Sequence, residues 1–255
     1  MKAALGLVTA LTLAAATPAG TASATRPLRS VVVNGVTHVC TARNAVIQCN
    51  LPPASPRAAQ ASSAPPAVGG YGVDFAWSCP VQSAQDFGAS YLSRTPSKNW
   101  TRSCVNQFHD AGKATVAVYE DGGCDATGSY SLGYSDAKRA ASQLAALGAP
   151  RGQPFDLAVD CNVAGSRLVQ YFRGADAAEG HQVNAFGGYY TILYLYKRHL
   201  VGDLNFQTYG WSAGHWLPAR IAPLEQYNNH IAMDDDRAIA INYGQWPAPA
   251  IGAFR

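Results

Sequence analysis

The sequence predicts an α/β fold: a compact (β/α)8 TIM-like barrel with some short or missing helices, preceded by a small N-terminal β-module. Three observations lead there. From Tyr71 onward, eight short apolar runs alternate with helical patterns, as a parallel sheet with crossover helices requires. Four of those runs close on an acid, at Asp74, Glu120, Asp160 and Asp234, and the C-terminal ends of parallel strands are where such folds build sites. The gaps before the second, seventh and eighth runs are too short for full helices, and the main domain, at about 180 residues, falls below the roughly 200 usual for this barrel. An open doubly wound sheet is therefore the second choice.

Residues 1–24 carry Lys2, an apolar stretch over 3–16 and the small-residue site Ala22-Ser23-Ala24, the pattern of a signal peptide cleaved after Ala24. The stretch is too short for a comfortable membrane span. The product is expected to be secreted or associated with the cell envelope, without stable membrane insertion, and monomeric. Residues 25–51 form the small module. Asn34-Gly35 between Val31-Val32-Val33 and the run 36–40 is a type I′ hairpin signal, because both positions take positive φ. Residues 45–49 return as a third strand, clasped by a bridge between Cys40 and Cys49. Residues 52–70 collapse to Pro, Ala, Ser and Gly, a tether. The main domain follows over 71–250.

Within it, strands are predicted at 71–77, 89–93, 114–119, 155–159, 183–186, 204–209, 221–226 and 231–233. Helices are predicted at 102–111, 136–147, 166–172 and 190–199. The clearest helix starts at Ser135 or Asp136 and stops at Gly148 and Pro150. Export makes the six cysteines read as disulfides, with Cys79 paired to Cys104 and Cys124 to Cys161. No Cys-x-x-Cys or paired-histidine spacing is present, so neither metal nor cofactor is expected. The formal charge of +3 comes without a basic stripe, which gives no reason to expect a nucleic-acid partner. Asp234-Asp235-Asp236 lacks the alternating ligands and glycine of a calcium loop and reads as a solvated loop with one functional member.

The chain is poor in acids, with 16 Asp and Glu among 255 residues, so acids at buried strand ends ask for a chemical reason. Convergent carboxylates suit acid/base or nucleophilic chemistry on a glycosidic bond. Flat rings with a polar edge suit the apolar faces of sugars, and Trp77 and Trp211, each just past a strand, are the rings expected to serve. Gly210-Trp211-Ser212-Ala213-Gly214 matches a nucleophile elbow, but Pro218 follows too soon for the required helix. A serine esterase using Ser212 is the minor alternative.

Several segments carry a resemblance: Gly72-Val73-Asp74-Phe75, Tyr91-Leu92-Ser93-Arg94, Val118-Tyr119-Glu120, residues 133–137, Leu157-Ala158-Val159-Asp160, Gly187-Gly188-Tyr189, and Gln226-Tyr227 followed by Asp234. Together they resemble the glycoside-hydrolase-like TIM-barrel domain of secreted bacterial proteins. More distantly, Gly72-Val73-Asp74, Asp160-x-Asn162, Gln226-Tyr227 and Asp234 resemble the family 25 lysozymes, which cleave the glycan strand of peptidoglycan. The resemblance implies a barrel, an envelope location and a carbohydrate-shaped cleft to which Asp74, Asn162, Tyr189, Gln226 and Asp234 contribute.

One position departs from the lysozyme pattern. There the fourth strand ends Asp-x-Glu and the glutamate donates the proton; here Asn162 has no carboxylic proton to give. Glu120 on the neighbouring strand is the best substitute, because adjacent strands lie about 4.8 Å apart and a retaining pair needs roughly 5 to 5.5 Å. In that scheme Glu120 is the acid/base and Asp160 the nucleophile or oxocarbenium stabiliser, while Asp74 and Asp234 tune pKa values and hold sugar hydroxyls. The competing reading of Glu120 is an ion pair with a residue such as Arg94. At the level of function, a glycosidase acting on polysaccharide or peptidoglycan stands beside a glycan-binding domain that has lost turnover.

Overall fold

The computed structural model describes residues 27–33, 36–43, 46–49, 67–122, 128–161, 163–230 and 233–247. The chain divides into two units, 1–60 and 61–255. In the first, β1 (Pro27–Val33), β2 (Val36–Arg43) and β3 (Val46–Cys49) form an antiparallel sheet in that order. Val33 pairs directly with Val36, the register a two-residue hairpin connection sets, and Cys40 stands opposite Cys49 in the β2–β3 ladder. The segment expected to be a signal peptide, most of the expected tether and the side chains of this sheet lie outside the described residues.

In the second unit eight strands close a barrel. They are β4 (Gly70–Phe75), β5 (Phe87–Leu92), β6 (Ala114–Tyr119), β7 (Asp156–Val159), β8 (Asn184–Gly187), β9 (Phe206–Gln207), β10 (Leu224–Asn228) and β11 (Met233–Ala238). Helices α1 (Arg102–Asp110), α2 (Tyr130–Leu147), α3 (Ser166–Glu179) and α4 (Tyr189–Tyr196) follow β5, β6, β7 and β8. No described helix fills the short gaps before β5, β10 and β11, as their lengths predict. Helix α2 starts earlier than predicted, because Ser129 and not Asp136 caps it: the Ser129 hydroxyl accepts from the Leu132 amide. Asp136 is buried within the helix instead.

The expectation that fails is an all-parallel sheet. Strand β11 runs antiparallel to both neighbours, β10 and β4. A parallel return needs a crossover of a dozen or more residues, and only residues 229–232 separate β10 from β11. The other strands pair in parallel.

Strand alternation sorts each apolar run onto two faces. Phe87, Ala89, Val116, Val118, Ala158, Phe186, Phe206 and Leu224 fill the lumen. Val73, Phe75, Leu92, Leu157 and Val159 join the helices in a larger outer cluster. Both faces are covered, which is why the runs are apolar throughout. Gly72 leaves room in the lumen for the Phe87 ring, which a Cβ there would approach to 2.3 Å. The segment after β4 is tied to α1 by the predicted Cys79–Cys104 disulfide. Cys161 is also disulfide-bonded; Cys124, its expected partner, lies outside the described residues. No described helix is long and apolar enough to cross a membrane.

Helices α2 and α3 touch backbone to backbone. A Cβ on Gly133 would lie 1.9 Å from the Tyr171 carbonyl oxygen, and one on Gly174 1.9 Å from that of Tyr130. On an open helix face Gly→Ala gains about 1 kcal/mol; in a filled interface overpacking costs about 1–3 kcal/mol. Because the obstacle is backbone, Gly133→Ala is expected to lower unfolding free energy by about 1–2 kcal/mol in urea titration. A gain would contradict this packing.

Candidate active site at the barrel mouth

Alternation also aims the acids. Residues two apart from the luminal Ala89, Val118, Ala158 and Leu224 are Tyr91, Glu120, Asp160 and Gln226, so all four point toward the lumen near the strands' C-terminal ends. On β4 the inward positions are Gly72 and Asp74. Strand β11 descends, so its first residues meet the last of β4: Asp234 pairs with Asp74, and Asp236 with Gly72. Asp234 thus reaches the mouth by opening an antiparallel strand, not by closing a parallel one. The solvated-loop reading of 234–236 is corrected with it. Asp236 is fully buried, while the outward Asp235 meets Asn228 and His230. Arg237 pairs on the outer face with buried Glu225 at 2.7 Å.

Gln226, 3 % exposed, joins these acids. Its Nε2 donates to Asp74 Oδ2 at 2.9 Å and to Asp234 Oδ2 at 2.8 Å, and its Oε1 accepts from the Tyr209 amide at 3.0 Å. That amide can only donate, which fixes the orientation of the Gln226 group. Asp74 also accepts from the Tyr91 hydroxyl at 3.2 Å. Burial, then repulsion from Asp234, pushes Asp74 up to about 7, against hydrogen bonds from Gln226 and Tyr91. Burial drives Asp236 well above the carboxylate range. Neither of its oxygens has a hydrogen-bond partner, and the charges of Asp74 and Asp234 raise it further. Asp234 is raised by burial, opposed by the His230 amide.

Above this floor lies a cleft of about 130 Å³ lined by Asp74, Phe75, Ala76, Trp77, Tyr91, Lys98, His230, Met233 and Asp234. Lys98, on the single 3-10 turn Pro96–Lys98, pairs with the Glu120 carboxylate and sits 4.2 Å from the Tyr91 ring centre. The ion pair considered for Glu120 therefore exists with Lys98. Arg94 instead takes the outward neighbour, Asp121, at 2.6 Å. Half-buried Asp160 is pushed up to about 6, first by burial and then by the charge of Glu120, with Lys98 opposing.

Trp77 is 74 % exposed at φ 59°, a left-handed conformation that costs a side-chain-bearing residue roughly 1–2 kcal/mol. Two residues on, Cys79 anchors its loop to α1. Tyr189 and Trp211 lie elsewhere, after β8 and β9. Tyr189 packs 5.1 Å from the His215 ring, and the Trp211 backbone lies so close to Gly188 that a Cβ there would be 2.6 Å from its carbonyl oxygen. Asn162 lies outside the described residues.

The nucleophile-elbow geometry is absent. Ser212 is 1 % exposed. Its hydroxyl accepts from the Tyr189 amide at 3.0 Å and from Gln207 Nε2 at 2.9 Å, and donates to the Thr208 carbonyl. None of these partners is a histidine, and turns follow where a helix would be required. Among the described residues no group of three or more His, Cys, Asp or Glu is arranged to hold a metal.

The barrel agrees with what known proteins show. Residues 83–237 match the family model for the Rv2525c-like, glycoside hydrolase-like domain. The chain belongs to this Rv2525c-like family. The Tat-secreted protein Rv2525c of Mycobacterium tuberculosis, in complexes with HEPES and with L-tartrate, matches at 21 and 22 % identity and TM-score 0.62. The alignments cover 69 and 70 % of this chain and 98 and 99 % of that one. An uncharacterized B. stearothermophilus protein matches at 14 % identity and TM-score 0.50, over 66 % of this chain and 95 % of that one. The modular autolysin LytC of Streptococcus pneumoniae is a fainter match, at 11 % identity and TM-score 0.47, over 66 % of this chain and 46 % of that one. A search of curated proteins gives no match. The family model begins after Asp74 and Trp77, so the first barrel strand and its acid lie outside the matched segment.

The raised Asp74 has a consequence for stability. An acid whose pKa rises from 3.8 in the unfolded chain to about 7 in the fold stabilises fully below pH 4, and that contribution is lost as pH rises through 7. Relative to Asp74→Asn, the wild type is expected to lose on the order of 3–4 kcal/mol between pH 4 and pH 8, read by chemical denaturation of both proteins. Parallel pH curves would contradict the shift.

Proposed function

We propose that this is an exported glycoside hydrolase of the cell envelope, cleaving glycan such as peptidoglycan with Glu120 and Asp160 as its paired carboxylates. The observation that carries the reading is the unlike setting of two acids at neighbouring strand ends. Asp160 is pushed up to about 6, while Glu120 is ion-paired with Lys98. Environments that set two carboxyl groups apart assign an acid and a charged partner. The ion pair favours the reverse of the roles expected from sequence: Asp160 protonates the leaving glycosidic oxygen, and the Glu120 carboxylate supports the developing oxocarbenium ion. Asp74 and Asp234, oriented by Gln226, hold sugar hydroxyls, and Trp77 offers its exposed ring to a sugar face. Export rests on residues 1–24 and agrees with what is said of Rv2525c.

The second reading, a glycan binder without turnover, is favoured by Asn162, which stands where the family 25 lysozymes carry their proton donor. Incubating the mature protein with purified peptidoglycan and other polysaccharides, followed by mass spectrometry, separates the two. Fragments are expected near pH 5 to 6, falling away above about 6 as Asp160 loses its proton, and reduced on the order of 100-fold or more in Asp160→Asn and Glu120→Gln. Products that persist in both variants would sink the pair. No products from any substrate, together with retention on insoluble wall, would favour the binder.

A further inference from the structure

The Gly210–Gly214 motif is not a nucleophile elbow, yet its serine is wholly engaged. Ser212 sits between β9 and the start of α4, taking the Tyr189 amide and the Gln207 side chain and giving its proton to Thr208. Gly188, lacking a Cβ, admits the Trp211 backbone. Ala213 and Gly214, at φ 50° and 76°, turn the chain through left-handed conformations that bring His215 back. The result is a ring cluster: Tyr189 lies 5.1 Å from Tyr190 and 5.1 Å from His215, and Tyr190 lies 5.8 Å from His215. Tyr190 and Tyr209 are 45 and 48 % exposed, and His215 is exposed as well.

The position of this cluster gives it meaning. In the closed order β10-β11-β4-β5-β6-β7-β8-β9, β8 stands four strands from β4 either way round, diametrically opposite. Trp77 follows β4 and Tyr189-Tyr190 follow β8, so exposed rings stand on opposite rims of the mouth with the acids between them. Eight strands at about 4.8 Å spacing, tilted as barrels require, give a mouth roughly 15 Å across, longer than one sugar ring. The loop that carries Tyr209 is also bonded to the acids' own anchor, through the Tyr209 amide and Gln226.

We propose that Tyr190 and His215, held by Ser212, form a second carbohydrate subsite. One glycan chain of several sugars would lie from Trp77, across Asp74, Glu120 and Asp160, to this rim. Ser212 is a positioning residue, and its hydroxyl does no covalent chemistry. The inference rests on the glycan reading above, and the test separates the two. Binding of a tetrasaccharide and a disaccharide of alternating N-acetylglucosamine and N-acetylmuramic acid would be measured calorimetrically in an Asp160→Asn background, which prevents turnover. Tyr190→Ala and His215→Ala, both surface changes, are expected to weaken the tetrasaccharide about tenfold each and leave the disaccharide within twofold. Trp77→Ala is expected to weaken both, and Ser212→Ala to reproduce the selective loss. Equal weakening at both lengths, or none, would overturn the subsite and leave the acid site standing. Failure of the parent protein to bind either length would overturn both, and covalent labelling of Ser212 by a phosphonate probe would overturn its positioning role.

Discussion

The Gln226 side chain, with one N–H on Asp74 and the other on Asp234, is the interaction on which the barrel mouth depends. Three aspartates, 74, 234 and 236, crowd the ends of two adjacent strands, where low polarity magnifies their repulsion. They coexist because a neutral amide donates to two of them, while burial pushes all three upward and so disfavours their charged forms. Tyr91 adds a further donor. Gln226 is itself completed by the Tyr209 amide. The loop after β9 is thereby tied to acids across the lumen.

The remaining acids are held differently. Glu120 and Asp121 are adjacent in sequence but face opposite ways, and each is met by a cation from the segment after β5: Lys98 inside, Arg94 outside. Below them, Asp136 accepts from the Tyr171 and Tyr119 hydroxyls, joining α2 and α3 to β6 by a second polar network on the outer side of the barrel wall. The mouth therefore combines a floor of buried acids joined by one amide with an ion-paired wall. That contrast in polarity, more than the number of carboxylates, makes different roles available to chemically similar groups.

Much of this was legible in the sequence, for identifiable reasons. Seven of the eight barrel strands show as apolar runs because both faces are buried, and acids stand out where they close such runs; β11, Met-Asp-Asp-Asp-Arg-Ala, shares only Met233 with the run expected at 231–233. Direction was not legible: a period-2 run reads the same up or down, so β11 was expected parallel and Asp234 reached the mouth by the opposite route. Alternation could have revealed Asp236, two residues on, had the acidic triplet not read as a loop. The choice of Lys98 over Arg94 for Glu120 depends on the single turn at Pro96–Lys98, and nothing local encodes it. Ser212 shows the limit of a motif: the glycines flank a turn that is packed and hydrogen-bonded rather than reactive.

The central claim is that the mouth holds carboxylic protons near neutral pH. Carbon-13 NMR titration of the aspartate side-chain carboxyl groups in the intact protein tests it most directly. Asp74 is expected to titrate with a midpoint near 7 and Asp160 near 6, with Asp236 also raised above an ordinary aspartate. Midpoints below about 4.5 for Asp74 and Asp160, in the range of ordinary surface aspartates, would contradict the account.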